Sequence, residues 1–212
     1  MMTSTPPTND GNTAARCVEK LREKFGAVLS EPVEFRGELT LRLSDPERIA
    51  EVCAFARQEL GFDFLVDITS IDNYGEDPRY TIVYHLYGLS HNQYLRLKTD
   101  VGEEKSELPT VVPVWKSANW HEREIYDMMG VRFRGHPDLR RVIMWEGYPH
   151  HPLRKDFPLA GKPTDLPDIA FSDVAPLAGG PFVTVAGARD AGAREPRSRL
   201  PEADPKGGGP NG

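Results

Sequence analysis

The sequence predicts an α+β fold: a mostly antiparallel sheet covered by helices on one face, followed by a further helix and an extended C-terminal tail. Three observations predict it. Two stretches carry apolar residues at helical spacing, several short stretches alternate apolar and polar residues, and Gly/Pro content rises sharply near the end. Alternation with one apolar face suits an antiparallel sheet that buries that face under helices.

In chain order, residues 1–13 read as a disordered leader. Ala14, Val18, Leu21 and Phe25 recur at helical spacing, and Gly26 follows as a stop. Two strands are expected around Val28–Phe35 and Glu38–Leu43, the second with Leu39, Leu41 and Leu43 on one face. Ser44 or Asp45 can cap a second helix with Pro46 in its first turn. Its buried stripe is Ile49, Val52, Cys53, Ala56 and Leu60, and Gly61 ends it. Three strands then alternate: Phe62, Phe64, Val66 and Ile68; Tyr80, Ile82, Tyr84 and Leu86; Leu95, Leu97, Thr99 and Val101. The turn-rich pieces 72–75 and 90–92 separate them as a meander requires. Val111 to Gly130 reads as helical, broken near Ser117–Asn119. Asn119 and Glu122 have the spacing of a capping box, and Gly130 sits at the C-cap.

Composition excludes several function classes. The 212 residues carry a net charge of −6 with no long Lys/Arg run, which argues against nucleic acid as a partner. No apolar run approaches the ~20 residues of a membrane span. Met1 to Asn12 hold no Lys or Arg and no apolar block, unlike a signal peptide, so a cytoplasmic location is expected, with membrane attachment only indirect. Cys17 and Cys53 are the only cysteines and form no CxxC, the usual spacing for an iron–sulfur or zinc site. Both fall on apolar helix faces and read as small buried hydrophobes.

The informative stretch is Ser117–Leu159. His121, His136, His150 and His151 with Glu122, Glu124 and Asp127 suggest a metal or acid–base site, although the position four after His121 is Ile125, so HExxH is absent. Arg132, Arg134, Arg140 and Arg141 beside aromatics suggest a nucleic-acid patch. A docking surface is the third reading. Residues 115–156 hold eight Lys/Arg against six Asp/Glu, so charge is dense but nearly balanced, and Trp115, Trp120, Phe133, Trp145 and Tyr148 are interleaved. Arginine with aromatics is what interfaces enrich. Arg123 and Asp127, four apart, are expected to pair along one helix face, and Glu122 lies near the positive end of the helix dipole. His136-Pro137-Asp138 reads as a turn.

The run Glu122-Arg123-Glu124-Ile125-Tyr126-Asp127-Met128-Met129-Gly130, continuing through Gly135-His136-Pro137-Asp138-Leu139-Arg140-Arg141, resembles the signature of the complex I 30-kDa subunit family of bacterial NADH-quinone oxidoreductase. The stretch His151–Leu159, with Arg154, Lys155 and Asp156, resembles that family's second block, and residues 115–120 resemble its lead-in. The resemblance covers the domain expected at 14–159, built around that signature helix. It implies a structural subunit of the peripheral arm of a proton-pumping enzyme, on the cytoplasmic side of the inner membrane, next to the large 49-kDa-type subunit of the quinone site. It implies no cofactor in this chain, with FMN, iron–sulfur clusters and quinone elsewhere in the complex. Related subunits belong to membrane-bound hydrogenases, coenzyme F420-dependent dehydrogenases and ferredoxin-linked complexes, and these stay open as parents. A stand-alone metal-dependent enzyme is the alternative of a different class.

Residues 161–212 contain 9 Gly and 8 Pro, too many for a core of their own, and are expected to be extended or disordered. Leu166, Ile169, Phe171, Val174, Leu177, Phe182, Val183 and Val185 are nonetheless apolar enough to order on a partner.

Overall fold

The computed structural model describes residues 11–36 and 38–158, so most of the expected leader and the tail from 160 onward lie outside the described residues. Backbone packing separates Met1–Asp156 from Phe157–Gly212, and of the second unit only Phe157 and Pro158 are described.

Helix α1 spans Gly11–Phe25, beginning three residues before the apolar periodicity does. Strand β1 is only Val33–Phe35, paired antiparallel with β2, Glu38–Leu43. The expected strand from Val28 is reduced to one bridge, Leu29 to Leu43. Pro32, which has no N–H to give a ladder, stands between that bridge and β1. Asp45 accepts from the Glu47 N–H at 3.0 Å and caps a 3-10 turn, Pro46–Arg48, that leads into α2, Ile49–Leu60. The buried residues of α2 are the five expected from its stripe, and Gly61 closes it at φ 74°.

Strands β3 (Phe64–Asp72), β4 (Tyr80–Gly88) and β5 (Gln93–Val101) form the meander. The sheet order is β1-β2-β5-β4-β3, with β2 and β5 parallel and all other pairs antiparallel. In β4 and β5 the expected alternation is the buried face: Tyr80, Ile82, Tyr84, Leu86, Leu95, Leu97, Thr99 and Val101 are all buried. In β3 it is not. A bulge between Leu65 and Asp67 breaks the period, so Leu65 and Ile68 are buried while Phe64 and Val66 are exposed. Phe62 is buried ahead of the strand.

The buried face packs with α1 and α2 in one core that includes Cys17, Leu21, Phe25, Val52, Cys53 and Ala56. Both cysteines are buried and free, as their helix faces predict. After β5 come β6 (Glu107–Pro109), α3 (Ala118–Met129) and β7 (Arg132–Arg134). Strands β6 and β7 pair in parallel, so α3 is the crossover of a small β-α-β unit that the sequence did not announce. Val111, Val112, Trp115, Ala118, Ile125, Val131 and Phe133 carry this unit into the same core.

Candidate docking site

The α3 helix begins after Ser117, whose side chain makes no cap bond. The expected capping box does not form. Glu122 is fully buried and turns instead to the segment before the helix, accepting from the Val111 N–H at 2.7 Å and from the Thr110 hydroxyl. Burial pushes its carboxyl up to about 7, against the lowering effect of those two donors. Thr110 Oγ1 also accepts from the Val112 N–H at 3.2 Å, so one carboxylate organises the whole turn.

His136 Nε2 lies 3.9 Å from Glu122, and both side chains are inaccessible. The Asp138 N–H donates to His136 Nδ1 at 3.0 Å, which leaves the proton on Nε2, facing the Asn119 carbonyl at 3.3 Å. Burial lowers the His136 pKa and keeps the ring neutral. The residues 136–138 are therefore a turn held to α3 by the imidazole, as their sequence suggests. Gly135 precedes it at φ +80°, where a β-carbon would be strained.

Arg123 and Asp127 are both buried but are not joined by an ion pair. Arg123 donates from Nε to the Arg140 carbonyl at 3.1 Å, and its guanidinium lies 4.9 Å from the Trp120 ring. Asp127 Oδ2 accepts three successive amides, Val142 at 3.0 Å, Ile143 at 2.7 Å and Met144 at 2.9 Å. Its other oxygen pairs with Arg141. Burial opposes ionisation of Asp127, but the Met144 and Ile143 amides, Arg141 and the Val142 amide outweigh it and hold the carboxyl below the usual range. Arg141 also donates to the carbonyls of Asp127, Tyr148 and His150. The expected contact within the helix is thus replaced by two contacts to one loop. A helical i,i+4 pair is a weak surface interaction, whereas a loop without regular structure must have its buried amides satisfied from outside.

The second block closes the other end of α3. The last carbonyls of a helix lack partners within it. Here His151 Nδ1 meets the Asp127 carbonyl at 2.9 Å, the Leu153 N–H the Met128 carbonyl at 3.1 Å, and Arg154 Nε the Met129 carbonyl at 2.6 Å. The Arg154 cation sits at the negative end of the helix dipole. Gly130 caps at φ +80°, and a β-carbon there would run into the Arg154 guanidinium and stand 2.7 Å from the His151 ring. The Lys155 N–H then reaches Asp72 at 2.8 Å, and Asp156 pairs with Arg79. Arg79 is buried, forks onto both oxygens of Asp72 at 2.9 and 3.0 Å, and also meets Glu103. Its hydrogen bond to Asp72 keeps that carboxyl below the usual range. Asp72, Arg79, Glu103 and Thr110 carried no signal in the sequence, because their partners are 7 to 83 residues away.

Of the remaining expected residues, Pro137 is exposed in the turn, Asp138 and Arg140 pair on the surface at 3.0 Å, and Lys155 contributes its backbone. Glu124 is exposed on α3. Three of the four arginines of the expected basic patch are paired with acids: Arg134 with Glu47 and Glu107, Arg140 with Asp138, and Arg141 with Asp127, while Arg132 is exposed. Among the described residues no group of three His, Cys, Asp or Glu is placed to hold a metal. His121 faces Asp67 at 3.1 Å, and His136 and His151 face separate backbone carbonyls. Around this clamp, on α3 and the segments it holds, Trp120, Ile143, Trp145 and Leu153 are exposed.

The family model described as respiratory-chain NADH dehydrogenase, 30 Kd subunit, matches residues 43–163. The chain belongs to that family. The matched span contains every residue of the clamp around α3. Among curated relatives, an NADH-quinone oxidoreductase subunit of Geotalea uraniireducens is 47% identical over 146 residues, covering 69% of this chain and 88% of the relative. The corresponding protein of Geobacter sulfurreducens is 45% identical over 147 residues, covering 69% and 90%. Among solved structures, a trypsin-resistant fragment of Nqo5 aligns with a TM-score of 0.52 at 35% identity, covering 60% of this chain and 99% of the fragment. A chain of an archaeal membrane-bound sulfane sulfur reductase shares the fold, with a TM-score of 0.60 at 23% identity. This 30-kDa subunit family member is therefore a subunit of the NADH-quinone oxidoreductase type, and among its described residues no helix is long and apolar enough to cross a membrane.

Proposed function

We propose that the chain is a non-redox structural subunit of the peripheral arm of a proton-translocating NADH:quinone oxidoreductase. It docks beside the large 49-kDa-type subunit of the quinone site, on the cytoplasmic side of the membrane. The observation that carries this reading is the use of the signature residues. Glu122, Arg123, Asp127, Arg141, His151 and Arg154 all hold backbone of residues 110–156 in place. Such side chains build a surface, and being engaged with backbone they are poorly suited to work on a substrate.

The donor set supports an absence of clusters in this chain. An iron–sulfur cluster is typically held by four thiolates, and this chain has two cysteines, on α1 and α2. Burial pushes the Cys53 thiol far up, away from the thiolate form that binds metal. FMN, the iron–sulfur clusters and quinone belong to other subunits in this reading.

Affinity purification of the tagged full-length chain from membranes in mild detergent tests it. The expected result is co-purification of the large quinone-site subunit and NADH:quinone reductase activity. Pure chain should contain no stoichiometric iron, zinc or flavin. Co-purification with hydrogenase or ferredoxin-linked subunits instead would reassign the parent complex. One bound metal or flavin per chain would refute the non-redox role.

A further inference from the structure

We propose that Trp120 and Glu124, on the exposed face of α3, form a receptor for a cationic side chain, an arginine by preference, projected by a neighbouring subunit. The inference rests on the chain being a subunit of a larger assembly and adds the chemistry of one contact.

Trp120 is 65% exposed, unusual for an indole. Arg123 lies 4.9 Å from its ring, and Arg123 is fixed by its bond to the Arg140 carbonyl. An exposed tryptophan is the type of residue that dominates interface energetics. Glu124 stands four residues on, so it shares the helix face with Trp120. The neighbouring charged residues of α3 have internal partners: Glu122 holds residues 110–111, Arg123 and Asp127 hold residues 140–144, and His121 faces Asp67. Glu124 is exposed and makes no ion pair or hydrogen bond among the described residues. Lys116, the exposed cation on the N-terminal side, precedes α3 and is eight residues from Glu124.

Glutamate is depleted at interfaces because burying its charge is costly without a counter-charge. An exposed, unpaired carboxylate beside an exposed indole therefore selects for a cation. A guanidinium suits both parts, since it stacks on an exposed indole and forks onto a carboxylate.

The test uses the full chain in the assembled membrane complex. Glu124→Gln and Glu124→Lys are compared with wild type for retention in the complex during washes of rising NaCl. A photo-crosslinking phenylalanine derivative at position 120 reports the neighbour by mass spectrometry. The expected result is release of Glu124→Lys at several-fold lower salt, an intermediate Glu124→Gln, and a crosslink to a peptide from a neighbouring protein of the complex with Arg or Lys at the site. Unchanged melting temperatures of the isolated variants would assign the loss to docking. Wild-type retention of Glu124→Lys, or crosslinks only to this chain or to lipid, would overturn the proposal. Absence of wild-type chain from any complex would instead refute the subunit reading on which it rests.

Discussion

Replacing Asp127 by Asn keeps the shape of the side chain and removes its charge, at a point where four donors converge on two oxygens. An amide has one oxygen. If that oxygen stays under the amides of Val142, Ile143 and Met144, the new NH2 faces the Arg141 guanidinium. If it flips, the NH2 faces three N–H groups. Either way donors oppose donors around a fully buried side chain. Breaking a buried pair by removing one partner costs about 3–5 kcal/mol. Arg141 keeps three backbone carbonyls, so the expected loss is nearer the lower end, about 3 kcal/mol. Urea unfolding should show a lower midpoint with an unchanged slope, and hydrogen exchange should accelerate at Val142, Ile143 and Met144. The pH dependence follows from the lowered carboxyl of Asp127. The unfolded chain takes up this proton first as pH falls, so the stabilisation is complete above the ordinary Asp range and is lost as pH drops through the lower folded value. The variant should lack that part of the acid limb. A change below about 0.5 kcal/mol, the ordinary scatter of surface substitutions, with unaltered exchange would refute the clamp.

Glu122 should behave oppositely: its folded pKa of about 7 exceeds the ordinary 4.5, so its contribution is full below 4.5 and fades as pH rises through 7. Glu122→Gln should remove up to roughly 3 kcal/mol of that slope, read as the difference between wild-type and variant unfolding curves at pH 5 and pH 8. Gly130→Ala should cost more than Gly135→Ala in thermal unfolding. Both take the αL penalty of about 1–2 kcal/mol, but only at Gly130 does the new methyl strike a side chain, whereas at Gly135 its nearest neighbour is 3.5 Å away. Arg79→Met should destabilise by about 3–5 kcal/mol, because it leaves Asp72 buried without its counter-charge. Simultaneous Asp72→Asn should recover part of that loss.

The parts of this fold readable from the chain are those governed by neighbours in sequence. The stripe of α2, the alternation of β4 and β5, the αL glycines at 61 and 130 and the turn at His136 depend on residues two to four positions apart, and all stand as expected. The short β1, the bulge in β3 and the parallel pairing of β2 with β5 and β6 with β7 depend on strands brought together from distant positions, for which periodicity has no register information. The site divides the same way. Its residues were marked by their density of charge and aromatics and by family resemblance, yet the contacts drawn from local spacing, the Asn119–Glu122 box and the Arg123–Asp127 pair, are absent. A buried carboxylate takes whichever unpaired backbone amide lies nearest in space. Glu122 found one eleven residues upstream, and Asp127 found three from fifteen to seventeen residues downstream. The sequence determined by itself that these carboxyl groups would stand on α3. Only tertiary structure decided what each would hold, because the cost of an unsatisfied buried amide exceeds that of an unmade helix-surface pair.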